Sequence, residues 1–183
     1  MNANTTYYDD LYIEYTTVLR HKPESIKVKL DPNGWVSVDT LLYQANQHGY
    51  PIDHTTLESI VATNDKKRFS FSTDKSMIRA AQGHSSQQVA MELSEQFPPQ
   101  YLYHGTAIHF LESINQQGLI SKSRHHVHLS DNGLTAKLVG ARHGQPVVLT
   151  IEARKMFESG YKFYLSDNQV WLTDKVPSQF ILV

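Results

Sequence analysis

The sequence of 183 residues contains no cysteine. Without a thiol, the chain can form no disulfide, has no thiolate nucleophile and cannot build a cysteine-ligated zinc site. Several classes of enzyme and of metal-binding module are thereby excluded. Histidine, serine, arginine and the carboxylates remain as the side chains that can carry chemistry.

Long hydrophobic runs are also missing. No stretch approaches the roughly 20 apolar residues that a membrane helix needs. Residues 1–10 are polar and end in two aspartates, so they have neither the basic flank nor the apolar run of a secretion signal. We therefore expect a cytoplasmic protein that does not use a membrane, and we expect no obligate protein partner.

Neither half of the chain has a large excess of positive charge. Residues 1–97 hold nine basic against twelve acidic side chains, and residues 98–183 hold eight against six. A protein that binds nucleic acid by releasing many counterions normally has a strongly basic face. Any contact with nucleic acid is therefore expected to be local, with a few Arg and Lys side chains binding particular phosphates.

The first 97 residues have the pattern of a helical lobe that ends in a hairpin. Apolar residues at helical spacing predict three helices, the second capped by Asp39 and the third opened by a capping box of Thr55 and Glu58. Two short strands are predicted to follow, at 68–71 and 77–80. Three helices and a hairpin in this order are typical of a winged-helix lobe.

Residues 98–183 have a different pattern, which is mostly strand with short helical pieces. The tandem prolines Pro98 and Pro99 oppose both helix and central strand, so we place a linker at 96–99 and the boundary after Phe97. The predicted fold class is therefore α+β, with a winged-helix lobe over 1–97 and a β-rich α+β lobe over 98–183.

Two segments of the first lobe are candidates for phosphate binding. Arg20, His21 and Lys22 lie at the end of the first helix, where they could bind an anion or could simply be solvated cations that complement the helix dipole. The run from Arg79 to Ser85 directly follows a predicted strand and could present a guanidinium group and backbone N–H groups to phosphate oxygens. An ordinary exit from the strand explains that run equally well.

Two segments of the second lobe are candidates for nucleotide binding. Tyr103-His104-Gly105-Thr106 is predicted at the end of a strand, immediately before a helix, where it could hold a ribose or merely start that helix. Arg142 lies between Gly140 and Gly144 in a predicted loop. It could point at a ligand, but a plain turn remains an alternative.

Three histidines, His125, His126 and His128, suggest a metal site. His126 and His128 would share one face of a strand, but no third ligand of suitable spacing, such as a nearby Asp or Glu, completes a set. We therefore expect no metal. Strand alternation instead directs Val127 to the core and His128 towards a cleft.

Several motifs become specific when they are taken together and in order. They are Leu19-Arg20-His21-Lys22, Gly34-Trp35-Val36, Lys67-Arg68-Phe69, Ile78 to Ser85, Tyr103-His104-Gly105-Thr106, His126-Val127-His128-Leu129-Ser130, Gly140-Ala141-Arg142 and Asn168-Gln169-Val170. From about Leu19 to its end, the chain closely resembles the RNA (tRNA) 2′-phosphotransferase family.

That resemblance implies an N-terminal winged-helix lobe for RNA and a C-terminal ADP-ribosyltransferase-like lobe for NAD. The implied enzyme removes an internal 2′-phosphate from RNA, as in tRNA processing, with NAD as co-substrate and an ADP-ribosylated RNA as intermediate. The family's catalytic set falls on Arg20, His21, Arg79 and Arg142. The implied NAD-binding residues are His104, Gly105, Thr106, His128, Ser130 and Val170, and the implied RNA-binding residues are Lys22, Gln82 and His84.

The sequence departs from the family pattern at two positions. Ala81 stands where the family often has Asn, and Gln169 stands where Gly is common. Val170 occupies the position at which many protein ADP-ribosylating enzymes carry Glu. Two alternatives stay open: a transferase that leaves ADP-ribose on a nucleic-acid phosphate end or on a protein, and a non-catalytic RNA-binding module.

Overall fold

The structure, a computed structural model, describes residues 3–64, 66–86 and 89–182, with side chains from Leu11 onward. The chain divides into two compact units, Met1–Glu92 (unit 1) and Leu93–Val183 (unit 2). In the part of the chain that is described, no helix is both long and apolar enough to cross a membrane.

Unit 1 contains the three predicted helices and both predicted strands. In chain order its elements are α1 (Ala3–Arg20), a 3-10 helix (Pro23–Ile26), β1 (Val36–Ser37), α2 (Val38–Gln47), α3 (His54–Thr63), β2 (Phe69–Phe71) and β3 (Met77–Ala80). The strands form an antiparallel sheet in the order β1-β3-β2. Helices and sheet thus share one core.

The α1 helix is held in that core by one apolar stripe. Leu11, Tyr15, Val18 and Leu19 recur at helical spacing and are all buried. They pack with the side chains of α2, α3 and the sheet in a single cluster. Because each buried apolar side chain contributes about 1.5–3 kcal/mol, this stripe fixes the position of the helix and of its last residue, Arg20.

Two predicted helix caps were wrong by two residues. The α2 helix is capped by Ser37 rather than Asp39, and α3 is capped by Asp53 rather than Thr55. Each cap side chain accepts a hydrogen bond from the amide three residues on, at 3.5 Å and 2.8 Å respectively. A cap must have a non-helical backbone, and Asp39 and Thr55 already lie inside their helices.

Unit 2 is the β-rich α+β unit that was predicted. Its elements are β4 (Leu102–Ala107), a 3-10 helix (Ile108–Phe110), α4 (Leu111–Gln117), β5 (Leu119–Ile120), β6 (Val127–Leu129), α5 (Gly133–Gly140), a 3-10 helix (Ala141–His143), β7 (Pro146–Ile151), α6 (Ala153–Glu158), β8 (Tyr164–Leu165), β9 (Trp171–Thr173), β10 (Lys175–Val176), a 3-10 helix (Ser178–Phe180) and β11 (Ile181–Leu182).

The strands of unit 2 form two three-stranded antiparallel sheets, β11-β7-β4 and β6-β9-β8, and the pair β10-β5. A bridge between Tyr103 and Ser130 joins the first two sheets, with backbone N–H···O distances of 2.7 Å and 2.8 Å. Leu102, Leu149, Ile151 and other apolar side chains form the core. The bridge brings β4 and β6, the two strands that carry His104 and His128, side by side.

The segment predicted as a linker is fixed to unit 2. Arg154 donates two hydrogen bonds to the carbonyl oxygen of Pro98, at 3.1 Å and 2.9 Å, and its guanidinium group stacks on the ring of Phe97. The amide of Gln96 donates to the carbonyl oxygen of Phe163. Pro98 has no backbone N–H group, but its carbonyl oxygen can still accept the hydrogen bonds from Arg154. These bonds hold the extended segment along unit 2.

Candidate functional site

Arg20 and His21 lie at the junction where α1 ends. The amide of His21 still donates to the carbonyl oxygen of Thr17, and the 3-10 helix that begins at Pro23 turns the chain away. Arg20 is only 7% exposed, and His21 is half-buried. A solvated helix end, the alternative raised from the sequence, does not describe a buried Arg20.

His21 makes a contact that its sequence neighbours do not supply. Its Nδ1 atom lies 2.8 Å from the hydroxyl oxygen of Ser85, and the amide of Ser85 donates to the carbonyl oxygen of Arg20 at 2.9 Å. The predicted phosphate-binding segment after β3 thus meets the end of α1 at two points. Sequence analysis placed Ser85 in a motif but gave it no role, because no local signal connects residues 64 positions apart.

Arg79 projects from β3 on the face opposite to the core. Its neighbours Ile78 and Ala80 are fully buried, so alternation places Arg79 on the outer face of the sheet. The guanidinium carbon lies 4.4 Å from the centre of the Trp35 ring. Such a cation–π contact is worth about 0.5–2 kcal/mol and restrains the orientation of the guanidinium group. Trp35 is a second residue to which sequence analysis gave no role.

The three residues expected to bind RNA differ in exposure. Lys22 is exposed, whereas Gln82 and His84 are buried. The Nε2 atom of His84 lies 3.1 Å from the carbonyl oxygen of Ala80, and its ring packs against Gly34, where a Cβ atom would stand 3.0 Å from the His84 Cε1 atom. In the described part of unit 1, no hydrogen bond reaches the buried Oε1 atom of Gln82. RNA binding by these three residues stays a prediction.

In unit 2, His104 and His128 are joined by a direct hydrogen bond. The Nδ1 atom of His104 donates to the carbonyl oxygen of His128 at 3.0 Å, which the bridge between β4 and β6 makes possible. Burial lowers the pKa of His104 below its ordinary value, an effect that the bond to His128 opposes and the nearby His143 reinforces. His104 is therefore neutral near pH 7, with its proton on Nδ1 and an acceptor lone pair on Nε2.

His128 is half-buried and Val127 is buried, so the predicted alternation along this strand is confirmed. The Nη1 atom of Arg124 lies 3.3 Å from the Nδ1 atom of His128. Since a guanidinium group can only donate, this contact favours a lone pair on Nδ1 and a proton on Nε2 of His128. The favoured tautomers of the two histidines thus differ: Nε2 is an acceptor in His104 and a donor in His128.

Gly105 and Thr106 lie near the end of a strand that is followed by a helix, as predicted, but the strand extends further than predicted. Both lie inside β4, which continues to Ala107 and pairs with β7. A Cβ atom on Gly105 would stand 1.6 Å from the carbonyl oxygen of Ala136, and one on Gly140 would stand 2.6 Å from the carbonyl oxygen of Thr106. These two glycines let α5 pack directly on the backbone of β4, which also buries Thr106.

Ser130 and Val170 lie at two further turns of unit 2. The hydroxyl of Ser130 accepts a hydrogen bond from the amide of Asn132 at 3.0 Å. Val170 is half-buried, and its amide donates to the hydroxyl oxygen of Ser166 at 3.0 Å. Gln169 has a φ of 61°, in the left-handed region that favours glycine. This conformation explains physically why glycine would suit the position.

Arg142 belongs to unit 2 and is exposed on the short 3-10 helix after α5. The segment was predicted as a loop, but Gly140 ends α5 and only Gly144 has a positive φ. Among residues 3–64, 66–86 and 89–182, no group of three or more His, Asp or Glu side chains is placed to hold a metal ion. His126 instead lies 3.7 Å from Asp174.

Comparison with known proteins gives the family. A family model described as RNA 2′-phosphotransferase, Tpt1 / KptA family, matches residues 14–175. A protein named "RNA 2′-phosphotransferase" from Escherichia coli (strain K12) is 51% identical over 164 residues, which cover 90% of this chain and 89% of that protein. A protein named "Probable RNA 2′-phosphotransferase" from Pseudomonas syringae pv. tomato is 49% identical over 178 residues, which cover 97% and 95%.

The matched range contains Arg20, His21, Arg79, His104, His128 and Arg142. The range covers well over half of the chain, and the identity extends through both units. The chain therefore belongs to the RNA 2′-phosphotransferase, Tpt1 / KptA family, and it is a transferase enzyme of that family.

Proposed function

We propose that this enzyme removes an internal 2′-phosphate from RNA and uses NAD as co-substrate. The products are RNA with a free 2′-hydroxyl, nicotinamide and ADP-ribose 1″,2″-cyclic phosphate. The observation that carries the proposal is the family match over 14–175, which includes all four residues of the expected catalytic set. The different donor and acceptor groups of His104 and His128 give it chemical support.

In the first step, an oxygen of the RNA 2′-phosphate attacks the ribose carbon that bears nicotinamide. A carbon–oxygen bond forms, the carbon–nitrogen bond breaks, and nicotinamide leaves with the bonding electron pair. The phosphate is already an anion, so this step needs no general base. A carboxylate in place of Val170 would put a negative charge near an anionic nucleophile, which Coulomb repulsion disfavours.

In the second step, the ribose 2″-hydroxyl attacks the phosphorus atom of the RNA-2′-phospho-ADP-ribose intermediate. A new phosphorus–oxygen bond forms, and the bond from phosphorus to the RNA 2′-oxygen breaks. The hydroxyl loses one proton and the departing 2′-oxygen gains one, so the protons balance. We assign that proton transfer to His21, because imidazole is the group best matched to proton transfer near neutral pH.

Charge on the phosphoryl oxygens has to be stabilised in the second step. We assign this to Arg20, Arg79 and Arg142, since guanidinium groups donate paired hydrogen bonds to phosphate. The burial of Arg20 supports its assignment because electrostatic interactions strengthen where water is excluded. The contact between Arg79 and Trp35 supports a restrained guanidinium group at the second position.

The NAD-binding role of unit 2 rests on its two histidines and nearby hydroxyls. The acceptor nitrogen of His104 and the donor nitrogen of His128 are complementary to ribose hydroxyl and amide groups, and Ser130 follows directly on the same strand segment. We propose that unit 2 is an ADP-ribosyltransferase-like lobe. For unit 1 we propose a winged-helix lobe for RNA, supported by its three helices and its β2–β3 hairpin.

The decisive test uses an oligonucleotide with one internal 2′-phosphate. The protein is incubated with it in the presence and absence of NAD, and the RNA, nicotinamide and cyclic phosphate are separated by chromatography. We expect loss of the 2′-phosphate only with NAD, at one nicotinamide per phosphate. Phosphate loss without NAD, or none with it, would contradict the proposal.

Variants of the same assay separate this function from its alternatives. We expect His21→Ala to accumulate ADP-ribosylated RNA, because the first step needs no proton transfer. Arg154→Lys is a matched control, since Arg154 binds the Pro98 carbonyl oxygen and lies outside the proposed site. A stable ADP-ribosylated product from the wild type would instead indicate a transferase that leaves ADP-ribose on RNA.

A further inference from the structure

The hydroxyl of Ser85 is held against the ring of His21 by a well-anchored segment. After β3, the amide of Ala81 donates to the carbonyl oxygen of Arg68 at 2.8 Å, and the chain turns at Gly83, whose φ is 83°. The next residue, His84, is buried, and its ring lies within hydrogen-bond distance of the carbonyl oxygen of Ala80, which holds the segment in place. The chain then reaches the end of α1, where the amide of Ser85 bonds to Arg20.

Ser85 contacts two consecutive residues, Arg20 and His21, and these contacts leave the position of Ser85 little freedom. The backbone bond from Ser85 to the carbonyl oxygen of Arg20 sets where the residue lies, and the 2.8 Å distance between its Oγ atom and His21 Nδ1 is that of a good hydrogen bond. The ring of His21 therefore has a defined orientation, with its Nδ1 atom directed at the hydroxyl of Ser85.

We propose that Ser85 is a positioning residue for the proton transfer by His21. Its Oγ atom accepts the Nδ1–H of His21 and thereby places the basic lone pair on Nε2. The hydrogen bond made by one ring nitrogen determines which nitrogen carries the proton. The inference rests on the proposed function for its catalytic consequence, although the arrangement of the two side chains stands without it.

A hydroxyl suits this position better than a carboxylate for an electrostatic reason. Ser85 can accept Nδ1–H both in neutral His21 and in the imidazolium ion, so it need not reorient when Nε2 takes up a proton. Asp at position 85 would do the same, but it would add a negative charge close to a phosphate substrate. A neutral acceptor holds the tautomer without that repulsion.

The proton follows a balanced path in the second step. As the 2″-oxygen bonds to phosphorus, its proton passes to Nε2 of His21, while Nδ1–H stays bonded to Ser85. The same proton then passes to the RNA 2′-oxygen as its bond to phosphorus breaks. His21 ends the step in its starting state, and no other reactant is needed.

Removing the hydroxyl should therefore slow the second step but not the first. Ser85→Ala keeps the backbone donor to Arg20 and removes only the contact with Nδ1. We expect nicotinamide release close to the wild-type rate and a second step about 10- to 100-fold slower, less than the roughly 10²- to 10⁴-fold cost of losing a proton-transfer group itself. ADP-ribosylated RNA should accumulate, and Ser85→Thr should restore the second step because it keeps the hydroxyl.

The matched control is Thr17→Ala, which removes a hydroxyl from the same helix. That hydroxyl bonds to the carbonyl oxygen of Ile13 and does not contact His21. We expect this variant to perform both steps as the wild type does. Equal second-step rates for Ser85→Ala and the wild type would overturn the proposal, as would failure of Ser85→Thr to restore a slowed step.

A spectroscopic measurement tests the arrangement without turnover. In wild-type protein labelled with ¹⁵N histidine, neutral His21 should show a protonated Nδ1 and an unprotonated Nε2, and Ser85→Ala should lose this bias. An unprotonated Nδ1 in the wild type would refute the inference. A wild type that consumes no NAD would instead overturn the proposed function, while the ¹⁵N shifts would still decide the role of Ser85.

Discussion

The substitution Gly105→Ala tests why a glycine stands in the middle of β4. A Cβ atom built on Gly105 lies 1.6 Å from the carbonyl oxygen of Ala136 and 2.9 Å from the amide nitrogen of Gly140. Both atoms belong to the backbone of α5, so no side chain can rotate to make room. The methyl group fits only if β4 and α5 move apart.

The size of the effect follows from the kind of atom that blocks the methyl group. Overpacking in a well-packed core costs about 1–3 kcal/mol, and a clash with backbone places this variant at the upper end. For a unit of this size, 1 kcal/mol corresponds to roughly 4–8 °C in Tm. We therefore expect the Tm of unit 2 to fall on the order of 10–20 °C.

Urea denaturation followed by circular dichroism, together with calorimetry, measures this effect. Gly133→Ala is the control on the same helix, because its nearest neighbour is the ring of Tyr103 at 3.9 Å. We expect that variant to unfold at the wild-type midpoint or to gain up to about 1 kcal/mol, since alanine favours a helix over glycine. An unchanged midpoint for Gly105→Ala would refute the packing argument. Weakened NAD binding at full stability would show instead that the glycine admits a ligand.

Two further predictions concern backbone strain and pH. Gln169→Gly should raise the free energy of unfolding by about 0.5–1 kcal/mol, because Gln169 has a φ of 61°; a variant no more stable than the wild type in urea would contradict this. Burial lowers the pKa values of His104 and His126, so the unfolded chain binds more protons than the folded chain just below pH 6.5. Stability should therefore fall as the pH drops from 7.5 to 5.5, and should fall less in His104→Gln. Equal pH dependence of the urea midpoints in wild type and variant would refute the assignment to His104.

Local signals were sufficient for several features of the candidate site. Strand alternation correctly directed Val127 to the core and His128 away from it, because neighbouring side chains of a strand point to opposite faces. The end of α1 near Arg20 was predicted from the apolar stripe and from Pro23. Such features depend on residues a few positions apart, which a sequence displays directly.

Features that depend on distant residues could not be predicted. The sequence gives no sign that Ser85 meets His21, that Trp35 lies under Arg79, or that Gly105 lies against α5. From the sequence, Gly105 could belong to a segment that holds a ribose or to one that merely starts a helix, and a glycine permits close approach to any neighbour. Only the packing of α5 on β4 identifies which neighbour is present in the structure.

The sequence by itself determined the α+β class, the order of the three helices and the hairpin in unit 1, the absence of thiol chemistry and the family to which the chain belongs; in unit 2 it did not predict β5, α6 or β10. These follow from composition, from periodicities of two and 3.6 residues, and from motifs in order along the chain. The tertiary structure alone decided the partner and tautomer of each histidine, the burial of Arg20 and the packing role of the glycines. Hydrogen bonds and steric contacts act over a few ångströms in space, whatever the separation of residues along the chain.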